Sequence, residues 1–352
     1  MSNAAQRIEE IRGALGSDLV ILGHHYQHDS VIQHCDLTGD SLELARKVAN
    51  LSARYIVFCG VFFMGEAAAL LVEPEQKVFM PDRTASCTMS EMAPGPLVGN
   101  VMDWLKSSGK TIIPLTYVNS SAAVKGIVGA NGGATCTSAN AEIMLQWCMG
   151  RGDAVFFLPD KNLALNTANT LALPDSLRMV LDIRRGGSNI QPDVVREKQL
   201  LIWPGCCSIH AARFKVRQIE EARVKHPDCT VIVHPECTPE VVQASDVSGS
   251  TSTIIRYCED APAGATIYIG TEINLVERLV QRYAGEKNIV PLAHSACQNM
   301  AKNTEDKLAD LLDDIAKSHE KGTPTKAEPV TVDPGTAANA RSSLERMLEA
   351  CA

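Results

Sequence analysis

Apolar, β-branched runs ending in a polar triplet recur three times along the chain: DLVILGHHYQ at residues 18–27, KTIIPLTYVN at 110–119 and CTVIVHPE at 229–236. Continuous apolar runs of this kind predict buried strands of a parallel sheet. Each run closes on two polar residues at i and i+2: His24 and Tyr26, Tyr117 and Asn119, His234 and Glu236. If strand conformation persists to the end of the run, both members of each pair point to one side.

A hydroxyl-rich segment then precedes a helical pattern in each copy: GDSLELARKV, TSANAEIMLQW and SGSTSTIIRYC. Ser41, Ser138 and Thr251 read as helix N-caps there, and such helix starts offer backbone N–H groups and the positive dipole end to an anion. The spacing is 17 positions from His24 to Ser41 and 17 from His234 to Thr251, but 21 from Tyr117 to Ser138, where the Gly-rich GIVGANGGA intervenes. A second strand and helix follow, and then a third strand that runs into a cysteine: KVFMPDRTASC, QLLIWPGCC and NIVPLAHSAC.

This self-similarity is a threefold internal repeat. The predicted fold is α/β, with three homologous small parallel α/β domains in a pseudo-threefold arrangement around a central active site, because such folds place ligands at the strand-end edge. The expected units are residues 1–108, 109–226 and 227–318, with extra helix and loop inserted near 173–193 of the middle unit. Residues 319–352 read as a Pro-rich linker and one amphipathic helix packing back on the body.

Composition narrows the chemistry. With 352 residues, 45% of them hydrophobic, the chain can bury several cores, and a net charge of -8 gives no footprint for nucleic acid or an anionic membrane. No stretch reaches 18 apolar residues without charges and the N-terminus lacks an apolar signal region, so a cytoplasmic protein acting on small molecules is expected. Twelve cysteines in so large a chain, without an export signal, read as reduced thiols. Cys59, Cys148 and Cys258 read as core fillers, and Cys351 has no evident role.

Cys87, Cys207 and Cys297 differ because they occupy the same place in each repeat, at the predicted point of convergence. Three thiolates without a fourth cysteine at a comparable place are a metal-ligand set, with an iron-sulfur cluster and zinc as candidates. A cluster held this way keeps one iron open to a substrate oxygen. Cys206 and Cys207 cannot easily both reach one cluster, and His210, three residues after Cys207, is placed beside it. Asp160, Lys161 and Asn162 in LPDKNL follow a strand in the middle repeat, where the other copies carry different residues, and read as a domain-junction network.

The order HHYQ, GDSLEL, TASCTMSEMA, TYVNSS, CTSANA, LPDKNL, WPGCCSIH, HPE, SGST and CQNM, over about residues 20–312, resembles the quinolinate synthases, the A proteins of bacterial NAD biosynthesis. The resemblance implies condensation of iminoaspartate with dihydroxyacetone phosphate to quinolinate, with loss of phosphate and water, at one [4Fe-4S] cluster per chain held by three cysteines. It favours Cys207 over Cys206, since the family usually has an aromatic residue at position 206. It places Ser41, Ser138 and Thr251 in substrate binding and implies functional coupling to L-aspartate oxidase. The family often has Asn where His25 stands, which sets His25 apart from His24 and Tyr26. The proton transfers of such a condensation call for acids and bases, for which Tyr26, His210 and Glu236 are the candidates, while His24, Tyr117, Asn119 and His234 suit carboxylate orientation. Another [4Fe-4S] hydro-lyase, or a zinc or redox-sensing protein, are the competing readings. A plain hydro-lyase would not need three anion-binding helix ends.

Overall fold

The computed structural model describes residues 2–186, 188 and 191–351; residues 187, 189 and 190 of the expected insertion lie outside the described residues. Three separate parallel sheets form. The first contains β1 (Leu19–His24), β2 (Leu37–Gly39), β3 (Tyr55–Cys59) and β4 (Lys77–Phe79) in the order β2-β1-β3-β4. The middle sheet contains β5 (Ile112–Tyr117), β6 (Ala134–Cys136), β7 (Ala154–Leu158), β8 (Arg178–Val180) and β9 (Leu200–Ile202) in the order β6-β5-β7-β9-β8. The third contains β10 (Thr230–Val233), β11 (Val247–Ser248), β12 (Thr266–Gly270) and β13 (Asn288–Pro291) in the order β11-β10-β12-β13. The α/β class and the three parallel units match the expectation from the repeat.

Two features were not legible in the pattern. The edge strands β2, β6 and β11 are two or three residues long, too short to carry a periodicity of their own. The insertion supplies more than helix and loop, because β8 pairs in parallel with β9 and widens the middle sheet.

The helices depart from the expected unit boundaries in a regular way. Helix Gly95–Lys106, expected in the first unit, packs Val98, Val101, Met102 and Leu105 against Ile112, Phe156 and Trp203 of the middle one. Helix Val216–Lys225, expected in the middle unit, packs Ile219 and Ala222 against Val231, Val233 and Tyr268 of the third. Helix Glu305–Lys321, expected in the third, returns to the first sheet, where Leu308, Leu312 and Ile315 meet Ile8, Ile21, Val57 and Phe79. After each of the three cysteines the chain therefore crosses to the next sheet. A helix needs an apolar face to bury against, and the face left open by each sheet is filled from the preceding unit, which closes the ring.

The C-terminal helix Pro334–Ala350 lies across the seam of the first and middle units, with Ala340, Leu344 and Met347 in the core they share. Arg346 donates to the carbonyls of Gly129 and Gly133, and Arg46 donates to the carbonyl of Cys351. Gly129 is required by this docking, because a Cβ there would stand 1.8 Å from the Asn339 carbonyl oxygen. Gly129→Ala should therefore destabilise the fold by about 1–3 kcal/mol through forced separation of the two helices. Gly13→Ala, where a Cβ meets nothing within 4 Å, should be neutral or slightly stabilising. Urea unfolding midpoints of the two variants check this, and equal midpoints would refute the close-approach argument.

Candidate active site

The strand-end pairs meet at the centre of the ring, though not by extended strand geometry. β1 stops at His24 and β10 at Val233, so Tyr26 and Glu236 lie beyond the strands. In both units the histidine closes a turn instead: the His24 carbonyl accepts from Gln27 N at 2.9 Å and its Nδ1 from Tyr26 N at 3.1 Å. His234 repeats this with Cys237 N at 3.0 Å and Glu236 N at 3.4 Å. The turn, not the pleat, keeps both members of each pair aimed inward. Burial drives both imidazoles down to about 3, so each ring is neutral near pH 7, and with Nδ1 accepting, Nε2 carries the hydrogen.

Glu236 is 3% exposed and bonded from two sides. Tyr117 donates its phenol hydrogen to Oε1 at 2.6 Å, and His210 Nδ1 lies 2.7 Å from Oε2. Burial alone would push the carboxyl up, but the facing His210 and the hydrogen bonds from His210 and Tyr117 outweigh it and hold Glu236 below the ordinary range. With an ionised Glu236, His210 Nδ1 is the donor. His210 Nε2 lies 3.1 Å from Thr271 Oγ1, which shares a 2.7 Å hydrogen bond with the Tyr26 hydroxyl, and Thr251 donates to that same hydroxyl at 3.3 Å. A hydrogen-bonded relay thus runs Tyr117–Glu236–His210–Thr271–Tyr26–Thr251 through all three units. Burial pushes both tyrosines well above their usual value, so they enter the relay protonated.

The relay lines one side of a cavity at the centre of the ring. Its wall includes His24, Tyr26, Tyr117, Asn119, His234 and Glu236, the hydroxyl residues Ser41, Ser138 and Thr251, and Cys87, Cys207, Cys297 and His210. His25 stands apart, with Nε2 3.8 Å from Glu43.

The helix caps differ from expectation. Asp40 caps helix Ser41–Val48 and Ser250 caps helix Thr251–Asp260, each by accepting from the first-turn N–H groups, while Asn140 is the residue before helix Ala141–Met149. Ser41 and Thr251 are thus first helical residues and Ser138 precedes the cap, which leaves their hydroxyls for the cavity. Among the described residues lining it none is Lys or Arg, so an anion here depends on these hydroxyls and helix starts.

Each of the three cysteines also begins a helical turn. Cys87 and Cys207 are the residues before helices Thr88–Glu91 and Ser208–Arg213, and Cys297 precedes the turn Met300–Lys302. Burial raises all three thiols, Cys87 to about 12, against backbone N–H donors from Ser90 and Met89, from His210, and from Met300 and Asn299. Cys87 feels Cys297, and Cys207 feels Cys87. These sulfurs, each facing one or two backbone N–H donors and with no Lys or Arg in the described wall, fit a cationic metal centre that would ionise them. Cys207, His210 and Glu236 also place one ligand atom each within 4.8 Å of one another. Cys206 feels Asp160 and Lys161 and is absent from the described lining.

The sequence reading missed Thr271 and Glu272, and with them the likeness of the third repeat to the LPDKNL position, whose Asn162 does reach across to the third unit at the Glu236 carbonyl. The third repeat carries Glu272 and Asn274 where the middle one has Asp160 and Asn162, both carboxylates standing before the second helix of their unit. Asp160 Oδ2 accepts from Cys207 N at 3.3 Å, and Glu272 Oε1 accepts from Cys297 N at 3.1 Å. Burial lifts Glu272 to about 7 against these N–H bonds. Aligning the ends of β7 and β12 would have shown the match. Cys351, which had no evident role, accepts from Asn140 Nδ2 at its sulfur at 3.3 Å.

Comparison with known proteins agrees with the motif order. The family model described as "Quinolinate synthetase A protein" matches residues 6–349. A quinolinate synthase of Bacillus anthracis is 43% identical over 348 residues, covering 98% of this chain and 92% of the relative. One of Bacillus cereus (strain Q1) is 42% identical over 353 residues, covering 99% and 93%.

The two buried histidines give the stability a pH dependence. A ring neutral when folded but protonated below pH 6.5 when unfolded contributes stability that is complete above 6.5 and lost as pH falls towards 3. The slope is at most about 1.4 kcal/mol per pH unit for each ring. Urea midpoints should fall between about pH 7 and about pH 5, and fall less in His24→Asn; parallel curves would show that His24 is not buried neutral.

Proposed function

The chain belongs to the quinolinate synthetase A family and is an enzyme, and we propose that it condenses iminoaspartate with dihydroxyacetone phosphate to quinolinate, releasing phosphate and water. The observation that carries this reading is the relay from Tyr117 to Thr251, facing three thiols and three hydroxyl residues at or just before helix starts in one cavity. A condensation with carbon deprotonation, imine formation and dehydration needs proton donors and acceptors on several sides of a small substrate, and the relay provides them within hydrogen-bond reach of one another. Among the described residues no helix is long and apolar enough to cross a membrane.

Glu236, ionised, is the acceptor at the centre of the relay, and His210 carries its proton between Glu236 and Thr271. Tyr26 donates from its buried phenol. His24, His234 and Asn119 hold the substrate carboxylates through neutral donors, and Tyr117, whose one hydroxyl hydrogen goes to Glu236, lines the same wall and fixes that carboxylate. The Ser41 and Ser138 hydroxyls and the backbone N–H of Thr251, with the first-turn N–H groups that Asp40 and Ser250 leave uncapped, take the phosphate and the remaining carboxylate, in a wall without Lys or Arg. The imine substrate is of the kind an L-aspartate oxidase supplies.

Cys87, Cys207 and Cys297 would hold one [4Fe-4S] cluster, which when bound supplies a Lewis-acid position for a substrate oxygen. A single zinc on Cys207, His210 and Glu236 is the alternative ligand set. It is disfavoured because the nearest His210 and Glu236 atoms already bond each other at 2.7 Å.

Anaerobically purified protein should be brown, carry about four irons, and form quinolinate from the two substrates. Cys87→Ala, Cys207→Ala and Cys297→Ala should each lose both the visible absorption and turnover, whereas Cys206→Ala keeps both. A colourless protein with one zinc, unaffected by Cys87→Ala, would overturn the cluster assignment, and full activity of Cys207→Ala would overturn the ligand set. Glu236→Gln should lower kcat by about 100- to 10,000-fold with the cluster retained; wild-type kcat would remove Glu236 from the chemistry.

A further inference from the structure

The second helix of each unit reaches across to hold the strand-end loop of another. In the middle unit, helix Lys161–Thr170 presents Asn162, which donates to the Glu236 carbonyl at 3.1 Å, and Asn166, which donates to the carbonyls of Pro235 and Cys237 at 2.8 Å each. In the third unit, helix Ile273–Arg282 presents Asn274 and Arg278 at the same two places, counted from the capping carboxylates Asp160 and Glu272. In the first unit, helix Phe62–Leu71 presents Glu66, which accepts from Ala122 N at 3.1 Å, just after the loop bearing Asn119.

The most extensive of these clamps closes on the loop of Tyr26. Asn274 donates to the Tyr26 carbonyl at 3.0 Å. Arg278 donates through Nη1 to the His25 carbonyl at 2.9 Å, through Nη2 to the Gln27 carbonyl at 2.6 Å, and through Nε to Asp29 at 2.6 Å. Three consecutive carbonyls are thereby fixed by one helix. The Tyr26 hydroxyl is fixed by Thr271 and Thr251, which belong to the same unit as that helix. Tyr26 springs from the first sheet, yet both its ends are tied to the third.

We propose that Arg278 is a positioning residue for Tyr26: its planar fork sets the 25–27 loop so that the phenol meets Thr271 and the substrate in one place. This rests on the reading of Tyr26 as a proton donor in quinolinate formation. A lysine cannot replace the fork, because an ammonium point charge can keep the Asp29 pair but does not span two carbonyls with fixed geometry. Arg278 stands outside the cavity, so its loss should act on the placement of a reacting group while leaving the substrate-binding donors in place.

The test compares wild type, Arg278→Ala, Arg278→Lys and the exposed-surface control Arg217→Ala, by quinolinate turnover, thermal unfolding and peptide-resolved hydrogen exchange. Arg278→Ala should lower kcat by about 10- to 100-fold with KM within about twofold. Faster exchange should be confined to residues 25–29. Arg278→Lys should recover part of the loss and carries the comparison if Arg278→Ala does not fold, and Arg217→Ala should match wild type. Unchanged kcat, a loss carried by KM, or exchange rising across the whole third unit would overturn the proposal. If wild type makes no quinolinate, the reading of the reaction fails, and exchange at residues 25–29 alone then decides whether Arg278 fixes the loop, unchanged exchange overturning it.

Discussion

A carboxylate buried to 3% exposure must find its hydrogen-bond partners inside the protein, and Glu236 finds both at the seam between the middle and third units. Tyr117 comes from the end of the middle sheet, and His210 from the turn that follows Cys207. Leaving such a group unpaired costs several kcal/mol, so the charged form is tenable only when the third unit is docked on the middle one. His210 then passes the constraint to Thr271 and so to Tyr26 of the first sheet. The contacts that make the three units one body are the contacts proposed to move protons.

Chain crossing explains why the cysteines stand where they do. Each sheet leaves one face open, and each is covered by the helix that follows the preceding unit's cysteine. The crossing point is necessarily at the centre, where the units meet, and the chain turns there into a new helical segment. The sulfurs consequently sit among free backbone N–H groups, in a setting that favours a thiolate, while burial opposes it. That opposition is what a metal centre resolves. The wall carries no Lys or Arg among its described residues, so positive character is left to helix starts and to whatever the sulfurs hold.

The strand runs, their polar ends and the repeat of cysteines were legible because each is a local pattern: a continuous apolar segment, a fixed spacing, a residue type at a recurrent place. The thirteen side chains singled out from those patterns all line one cavity. Asp40 and Ser250, each one residue before the expected caps Ser41 and Thr251, compete better for the first-turn N–H groups. The i and i+2 pairs converge through a histidine-closed turn, since β1 and β10 stop before Tyr26 and Glu236. Unit boundaries moved to the cysteines because apolar periodicity says that a helix has a buried face without saying which sheet buries it.

By itself, then, the sequence determined the α/β class, the threefold repeat, the strands that carry the polar pairs and the cysteines at matching places, because these follow from propensities and spacings within a few residues. Only the tertiary structure decided which helix covers which sheet, that Thr271 joins His210 to Tyr26, that Asp160 and Glu272 serve the cysteine turns alike, and that Arg278 grips a loop 250 residues earlier in the chain. Those are contacts between distant segments, and their partners are fixed by the closing of the ring, a constraint that no local pattern contains.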